Sequence, residues 1–110
     1  MLESILKTYD PVMCTVPGID AFEWHKVTGT SLIDIGTRKQ ARTHVKLIIR
    51  LNHTPTPAEK QSIKDMVIAE LEDYGAPTVY ANATNVQLQY THDSTAGDDI
   101  EIYYEITWDQ

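Results

Sequence analysis

The sequence predicts an α+β fold, a two-layer sandwich in which helices cover one face of a mostly antiparallel sheet. The first observation is a helix over residues 56–75 with signals at both ends. The second is a set of segments, on both sides of that helix, in which apolar and polar residues alternate. A period of two gives a strand one apolar and one polar face, as in antiparallel sheets. The predicted order is α-β-β-β-α-β-β in a single domain, residues 1–110.

The central helix has a start signal, an apolar face and a stop signal. Thr56 is placed to cap its N-terminus, with Glu59 completing a capping box and Pro57 at the first helical position. Gly75 is expected to end the helix in the left-handed conformation, and Pro77 to prevent its continuation. The apolar face is expected to contain Ile63, Met66, Val67, Leu71 and Tyr74.

A short helix is predicted over residues 2–9. Its apolar residues have the spacing i, i+3, i+4 and i+7: Leu2, Ile5, Leu6 and Tyr9. Asp10-Pro11 is expected to end it, and residues 11–20 to be irregular, with a turn at Pro17-Gly18. So short a helix needs a surface to dock on, so it either covers an edge of the core or takes part in a subunit contact.

Three strands are predicted between the two helices. They span residues 21–27, 31–36 and 44–51. The last is the clearest, because alternate residues are apolar: Val45, Leu47, Ile49 and Leu51. Residues 36–43 are polar and basic, and are interpreted either as an exposed hairpin loop or as a flexible extension of two strands.

A closing hairpin is predicted after the central helix. Residues 85–91 and 100–108 both alternate, and the acidic segment between them is expected to turn. If residues 100–108 lie beside residues 44–51, the polar faces of the two strands bring opposite charges together. Each cross-strand charge pair would then contribute up to about 1 kcal/mol.

Charge is distributed unevenly along the chain, whose formal net charge is −7. Residues 1–64 contain nine basic and six acidic residues, whereas residues 65–110 contain ten acidic residues and no Lys or Arg. This indicates either a solvated surface with uneven charge, or a molecule with a positive and a negative side. Two such sides would allow head-to-tail stacking of copies. The overall sign makes free duplex nucleic acid a poor partner.

The charged segments flanking the central helix supply the candidate contact residues. The basic stretch at residues 36–43 is either a solvated loop or a contact for a phosphate backbone or an acidic partner surface. Tyr103 is either an interface residue or a side chain lying flat over its neighbours. The candidates for subunit or partner contact are Arg38, Lys39, Arg42, Lys46, Arg50, Asp98, Asp99, Glu101, Tyr103 and Glu105.

No motif for catalysis, a cofactor or a dedicated metal site is found in the sequence. The four histidines lack metal-ligand spacing, and Cys14 is the only cysteine. His92, Asp93, Asp98 and Asp99 would form at most an adventitious cation site. No apolar run reaches the roughly 20 residues that span a bilayer. The first residues lack the basic start of a secretory signal, so we expect none.

The order of elements resembles the tail terminator and tail-completion (neck) proteins of long-tailed bacteriophages. The resemblance is carried by the stretches LESILKTY, ARTHVKLIIRLNHTPTPAEKQSIKDMVIAELEDYG and VQLQYTH…DDIEIYYEITW. In that family a middle strand runs through a short polar turn into a helix, and a hairpin closes the chain. The match covers nearly the whole chain, as a pattern of elements.

The resemblance implies a structural subunit of the virion, assembled in the host cytoplasm into a ring that is expected to be a hexamer. Such a ring would sit on the last ring of the tail tube, stop its growth and present a surface to the head connector. The basic residues Arg38, Lys39 and Arg42 would contact the tube or face the lumen, and a position in the lumen would allow non-specific contact with DNA. The family has no catalytic residues to carry over.

Two other classes of function remain open at this point. A small acidic inhibitor of the anti-defence type would use Asp98, Asp99, Glu101 and Glu105 to imitate nucleic acid for a basic partner. A small enzyme or ligand-binding domain would require a deep pocket with converging polar groups.

Overall fold

The computed structural model of the chain describes residues 2–74 and 84–109. These residues form three helices, α1 (Leu2–Lys7), α2 (Asp10–Met13) and α3 (Pro57–Asp73). They also form five strands: β1 (Ile19–Lys26), β2 (Ser31–Ile35), β3 (Arg38–Leu51), β4 (Thr84–Ala96) and β5 (Asp99–Asp109). The predicted α+β fold is confirmed: all strand pairs are antiparallel, and the helices pack on one face of the sheet.

The sheet has the order β1-β3-β5-β4, with β2 paired to β3 beyond the end of β1. Because β5 occupies one side of β3 along residues 40–49, β1 and β2 must share the other side. β1 and β2 lie end to end along β3 as one long edge strand, which is interrupted between Lys26 and Ser31. The four residues 27–30 there face only two residues of β3, 43 and 44.

Side chains replace the strand ladder at this interruption. The Thr28 hydroxyl accepts a hydrogen bond from the His44 amide at 3.1 Å, and the Thr43 hydroxyl donates to the Thr28 carbonyl at 3.0 Å. The backbone amide of Val27 donates to the His44 carbonyl at 2.8 Å. The extra residues are therefore held in place although they lie outside the regular pairing.

The core lies between the sheet and the helices. Alternate residues of β3 and β5 point into it, as their sequence pattern predicts. Aromatic rings extend it towards α1, with Trp24 within 6.2 Å of Tyr9 and 5.9 Å of Tyr104 between ring centroids. The buried apolar side chains are Ile5, Leu6, Tyr9, Val12, Met13, Val16, Ala41, Val45, Leu47, Ile49, Leu51, Val67, Leu71, Val86, Ile100, Ile102, Tyr104, Ile106 and Trp108.

The capping box predicted for α3 is present. Thr56 Oγ1 accepts a hydrogen bond from the Glu59 amide at 3.2 Å, and Glu59 Oε1 accepts one from the Thr56 amide at 3.3 Å. The apolar face is narrower than predicted, because Met66 is 42% exposed and Tyr74 is 43% exposed. The predicted stop at Gly75 and Pro77, and the extended piece predicted at residues 78–80, lie outside the described residues.

One prediction in the N-terminal half is wrong, and one pair of alternatives is decided. Residues 11–20 are not all irregular, because α2 continues the helical path and buries Val12 and Met13. Pro11 lies in its first turn, where the missing amide hydrogen leaves no bond unmade. For residues 36–43 the extension of two strands is the alternative observed, since Arg38 begins β3 and a two-residue turn at Gly36-Thr37 joins it to β2. Gly36 has a φ of +61°, as the first position of a type II′ turn requires.

Candidate interaction surface

A ladder of charges runs along the face of the sheet that the helices leave open. Every fourth residue of β3 from Arg38 onward is basic, so these side chains share one face of the strand. The acidic residues of β5 lie on the same face of the neighbouring strand. The resulting ion pairs are Arg38–Asp109 (3.1 Å), Arg42–Glu105 (3.6 Å), Lys46–Glu101 (3.7 Å) and Arg50–Asp99 (3.7 Å). His44 Nε2 also lies 3.4 Å from Glu105 Oε2 and forms an ion pair with it when the imidazole is protonated.

The ladder confirms one prediction and overturns another. β3 and β5 are neighbours, and their complementary charges do pair across the strands. For these residues, however, the alternative of a positive side and a negative side is wrong. The two signs lie side by side on one face and neutralise each other, so they do not form the separated patches that would drive head-to-tail stacking.

Tyr103 lies in the middle of the open face, in register with Lys46 of β3 and His92 of β4. Its ring stacks on the His92 imidazole with a centroid distance of 4.2 Å and an interplanar angle of 8°. Of the two predicted alternatives, the side chain that lies flat over a neighbour is the one observed. The Tyr103 side chain is half-buried.

Two of the predicted contact residues stand apart from the ladder. Lys39 is exposed on the hairpin opposite Asp34, and no described acidic side chain lies within 4.0 Å of its ammonium group. Asp98 is exposed in the turn between β4 and β5. Lys39 therefore remains available for a contact with another molecule.

The residues considered for a cation site do not converge. His92 faces the open side of the sheet, against Tyr103. Asp93 points the other way, towards α3, where Lys64 Nζ lies 3.1 Å from its Oδ1 and the Tyr90 hydroxyl donates to its Oδ2. Over the described ranges, no group of three or more His, Cys, Asp or Glu side chains could hold a metal ion.

Asp93, Tyr90 and Lys64 form a polar link between β4 and α3. The Tyr90 hydroxyl, and then the Lys64 ammonium, hold the pKa of Asp93 below its ordinary value of 3.8. Lys60 strengthens the link by donating to the Gly97 carbonyl at 2.7 Å. The sequence pattern does not reveal this link, because it depends on a register shift between Tyr90 and His92. Tyr90, Asp93 and Lys64 find their hydrogen-bond partners within the chain, so we assign the link a structural role.

A groove runs between α1 and the outer edge of β1. We call it the α1–β1 groove. It consists of two adjoining cavities of about 230 and 390 Å³, and Glu3, Leu6 and Trp24 line both of them. Leu2 and Phe22 extend the apolar walls, and both are half-buried. The indole Nε1 of Trp24 is buried and has no hydrogen-bond partner in the described part of the chain. Sequence reasoning did not identify this groove, because it arises from the packing of two elements.

The hairpin formed by β2 and the start of β3, residues 31–42, exposes apolar side chains. We call it the β2–β3 hairpin. Leu32 is 60% exposed and Ile35 is 37% exposed, and the neighbours of β2 lie on β3 rather than on a helix. Leu32 pairs with Ala41 on the helix side, whereas Ile35 pairs with Arg38 on the open side. Each face of the hairpin therefore has an exposed apolar side chain. The molecule is correspondingly elongated, at 49 × 24 × 18 Å.

Comparison with known proteins does not assign the chain to a family. No family model matches it, and neither the curated proteins nor the solved structures provide a match. Among the residues that the structure describes, no helix combines the length and apolar character needed to cross a membrane.

Proposed function

We propose that this chain is a structural assembly protein that joins copies of itself into a ring in the neck or tail of a phage, ends the tail tube and connects it to the head. The observation that carries the proposal is the β2–β3 hairpin. Its apolar side chains Leu32 and Ile35 face solvent in the single chain, and a contact between proteins would bury them. The order of elements, which resembles that of the tail terminator family, supports the same function.

The charge ladder changes the kind of contact expected in this assembly. Exposed ion pairs already satisfied within one chain contribute little to binding another. We therefore expect apolar side chains and shape to hold the copies together, with charge setting the orientation. The basic residues Arg38 and Arg42 keep partners of their own, so Lys39 is the basic residue of this segment best placed to contact another protein.

The alternative of an acidic inhibitor loses support for the residues that suggested it. Asp99 pairs with Arg50, Glu101 with Lys46, and Glu105 with Arg42 and His44. A carboxylate neutralised by its own chain is a poor imitation of a free phosphate. Only Asp98 of that set remains without a described basic partner within 4.0 Å.

The test is to measure the mass of the purified protein over a wide concentration range, by size-exclusion chromatography with light scattering, and to image it by negative-stain electron microscopy. A closed ring of defined mass, alone or on co-expression with the tail-tube and head-connector proteins of the same phage, is expected. A protein that stays a monomer at millimolar concentration and binds neither partner would overturn the proposal.

A further inference from the structure

The β2–β3 hairpin requires a cover that its own chain does not provide among the described residues. Leu32 projects on the helix side of the sheet and Ile35 on the open side, beyond the surface that the helices bury. Side chains exposed on both faces are best covered by a surface into which the hairpin inserts. A flat partner would cover only one of the two.

The α1–β1 groove offers such a surface. Leu2, Leu6, Phe22 and Trp24 are its apolar lining residues. The groove lies beside β1, a strand that pairs on one side only within the described residues. An apolar side chain entering the groove would bury apolar area on both molecules, which favours association.

We propose that the hairpin of one copy of this chain seats in the α1–β1 groove of the next copy, Leu32 being its main apolar anchor. The inference rests on the self-assembly proposed above and names the contact that would produce it. The two surfaces differ, so the contact is head-to-tail, and every added copy leaves one hairpin and one groove free. Such contacts close into a ring when the rotation between successive copies closes, and we expect that geometry here.

Charge at the two surfaces is complementary. Lys39 is the hairpin cation without a described acidic partner within 4.0 Å. The groove is lined by Glu3 and Asp10, and neither has a described basic partner within that distance. Glu23 also lines the groove, as do Lys7 and Lys26, so three carboxylates face two ammonium groups and the net charge is only slightly negative. The attraction therefore orients the hairpin rather than providing most of the binding energy.

Three single variants test this contact. Leu32→Glu places a charge on the hairpin, and Leu2→Glu places one in the wall of the groove. Met66→Glu is the control, because Met66 is an apolar residue on α3 that is 42% exposed, against 60% for Leu32, and belongs to neither surface. Circular dichroism and thermal unfolding establish that each variant is folded. We expect the first two to have the mass of a single chain by light scattering, and the control to assemble like the original protein.

Mixing the two disrupted variants separates this contact from other modes of assembly. Leu32→Glu retains an intact groove and Leu2→Glu retains an intact hairpin, so the pair should form a 1:1 dimer that grows no further. If both variants assemble like the original chain, this contact is wrong, whereas the proposed ring is unaffected. Two folded monomers that fail to form a dimer on mixing would also overturn the inference. If the original chain is itself a monomer when no partner is present, the proposed self-assembly is wrong.

Discussion

Lys46 on β3 and Glu101 on β5 lie diagonally across the strand pair, with Nζ and Oε2 3.7 Å apart on the open face of the sheet. The strand with the most basic residues thus lies against the strand with the most acidic ones. This pairing fixes which face of β5 points outward, because a shift by one residue would turn the carboxylates into the core. The ladder therefore contributes to the choice of register as well as to stability.

Reversing one charge of this pair should destabilise the fold, and reversing both should restore it. Glu101→Lys places a cation against Lys46 and should reduce the free energy of unfolding by about 1 kcal/mol, the upper range for cross-strand pairs. Adding Lys46→Glu should recover most of that loss. Urea unfolding at low and at 1 M salt measures the effect, which salt should diminish. Asp20→Lys is the control for net charge, because Asp20 is exposed and has no ion pair among the described residues. An equal loss in that control would mean that the ladder has no specific role.

The capping box of α3 should be measurable in the stability of the whole chain. Thr56→Ala removes the acceptor for the Glu59 amide and should reduce the free energy of unfolding by about 1 kcal/mol. For a domain of this size we expect the melting temperature to fall by about 4 °C. Thr54→Ala is the control, since Thr54 is an exposed residue of the same turn that lies outside the box. Equal melting temperatures for both variants would show that the cap contributes nothing.

Tyr104 should tolerate loss of its hydroxyl group. The ring is fully buried against Trp24 and Tyr90, and its oxygen has no hydrogen-bond partner in the described residues. A buried polar group without a partner costs about 1–3 kcal/mol, so Tyr104→Phe should leave the stability unchanged or increase it. Tyr90→Phe is the contrasting variant, because it removes the hydrogen bond to Asp93 and should destabilise the chain. Urea unfolding distinguishes the two, and a clear loss in Tyr104→Phe would contradict the expectation.

Burial of phenols should make the fold sensitive to high pH. Burial, and then the nearby Tyr74, raise the pKa of Tyr9 from 10.0 to about 12, and burial raises the pKa of Tyr104 further. Above pH 10 the folded chain keeps protons that the unfolded chain releases, so stability falls as pH rises from about 10 to 12. Absorbance at 295 nm should show a late-titrating fraction that disappears in urea. Tyr9→Phe should reduce this fraction, and a single transition near pH 10 in the folded chain would contradict the assignment.

The parts of the fold that sequence could predict are those where one physical demand dominates. β5 must bury one face and solvate the other, and so alternates over its whole length. The start of α3 must satisfy free backbone amides, and Thr56 and Glu59 are the residues that do so. These local requirements determine which residue types occupy those positions, so the sequence shows them directly.

The parts that sequence could not predict depend on distant contacts. Residues 40–42 of β3 are paired on both sides, yet the polar residues around them show no strand pattern, so the sequence leaves both an exposed loop and a strand extension as alternatives. Met66 has the spacing of the buried face of α3, but the helix covers too little of the sheet to bury it. For the candidate site, the sequence identified Lys39 and the charged residues, whereas the α1–β1 groove depends on tertiary packing.

The interruption at residues 27–30 has a consequence for how copies of this chain can meet. A free strand edge is a template on which another chain can add indefinitely, as in fibrils. Here one outer edge is broken by two extra residues, and the β4 edge by register shifts at Thr84/Gln87 and Tyr90/His92. A broken edge cannot guide a long, regular backbone ladder. Open-ended growth through the backbone is thereby disfavoured, and association is left to side chains, which can select one partner and one stopping point.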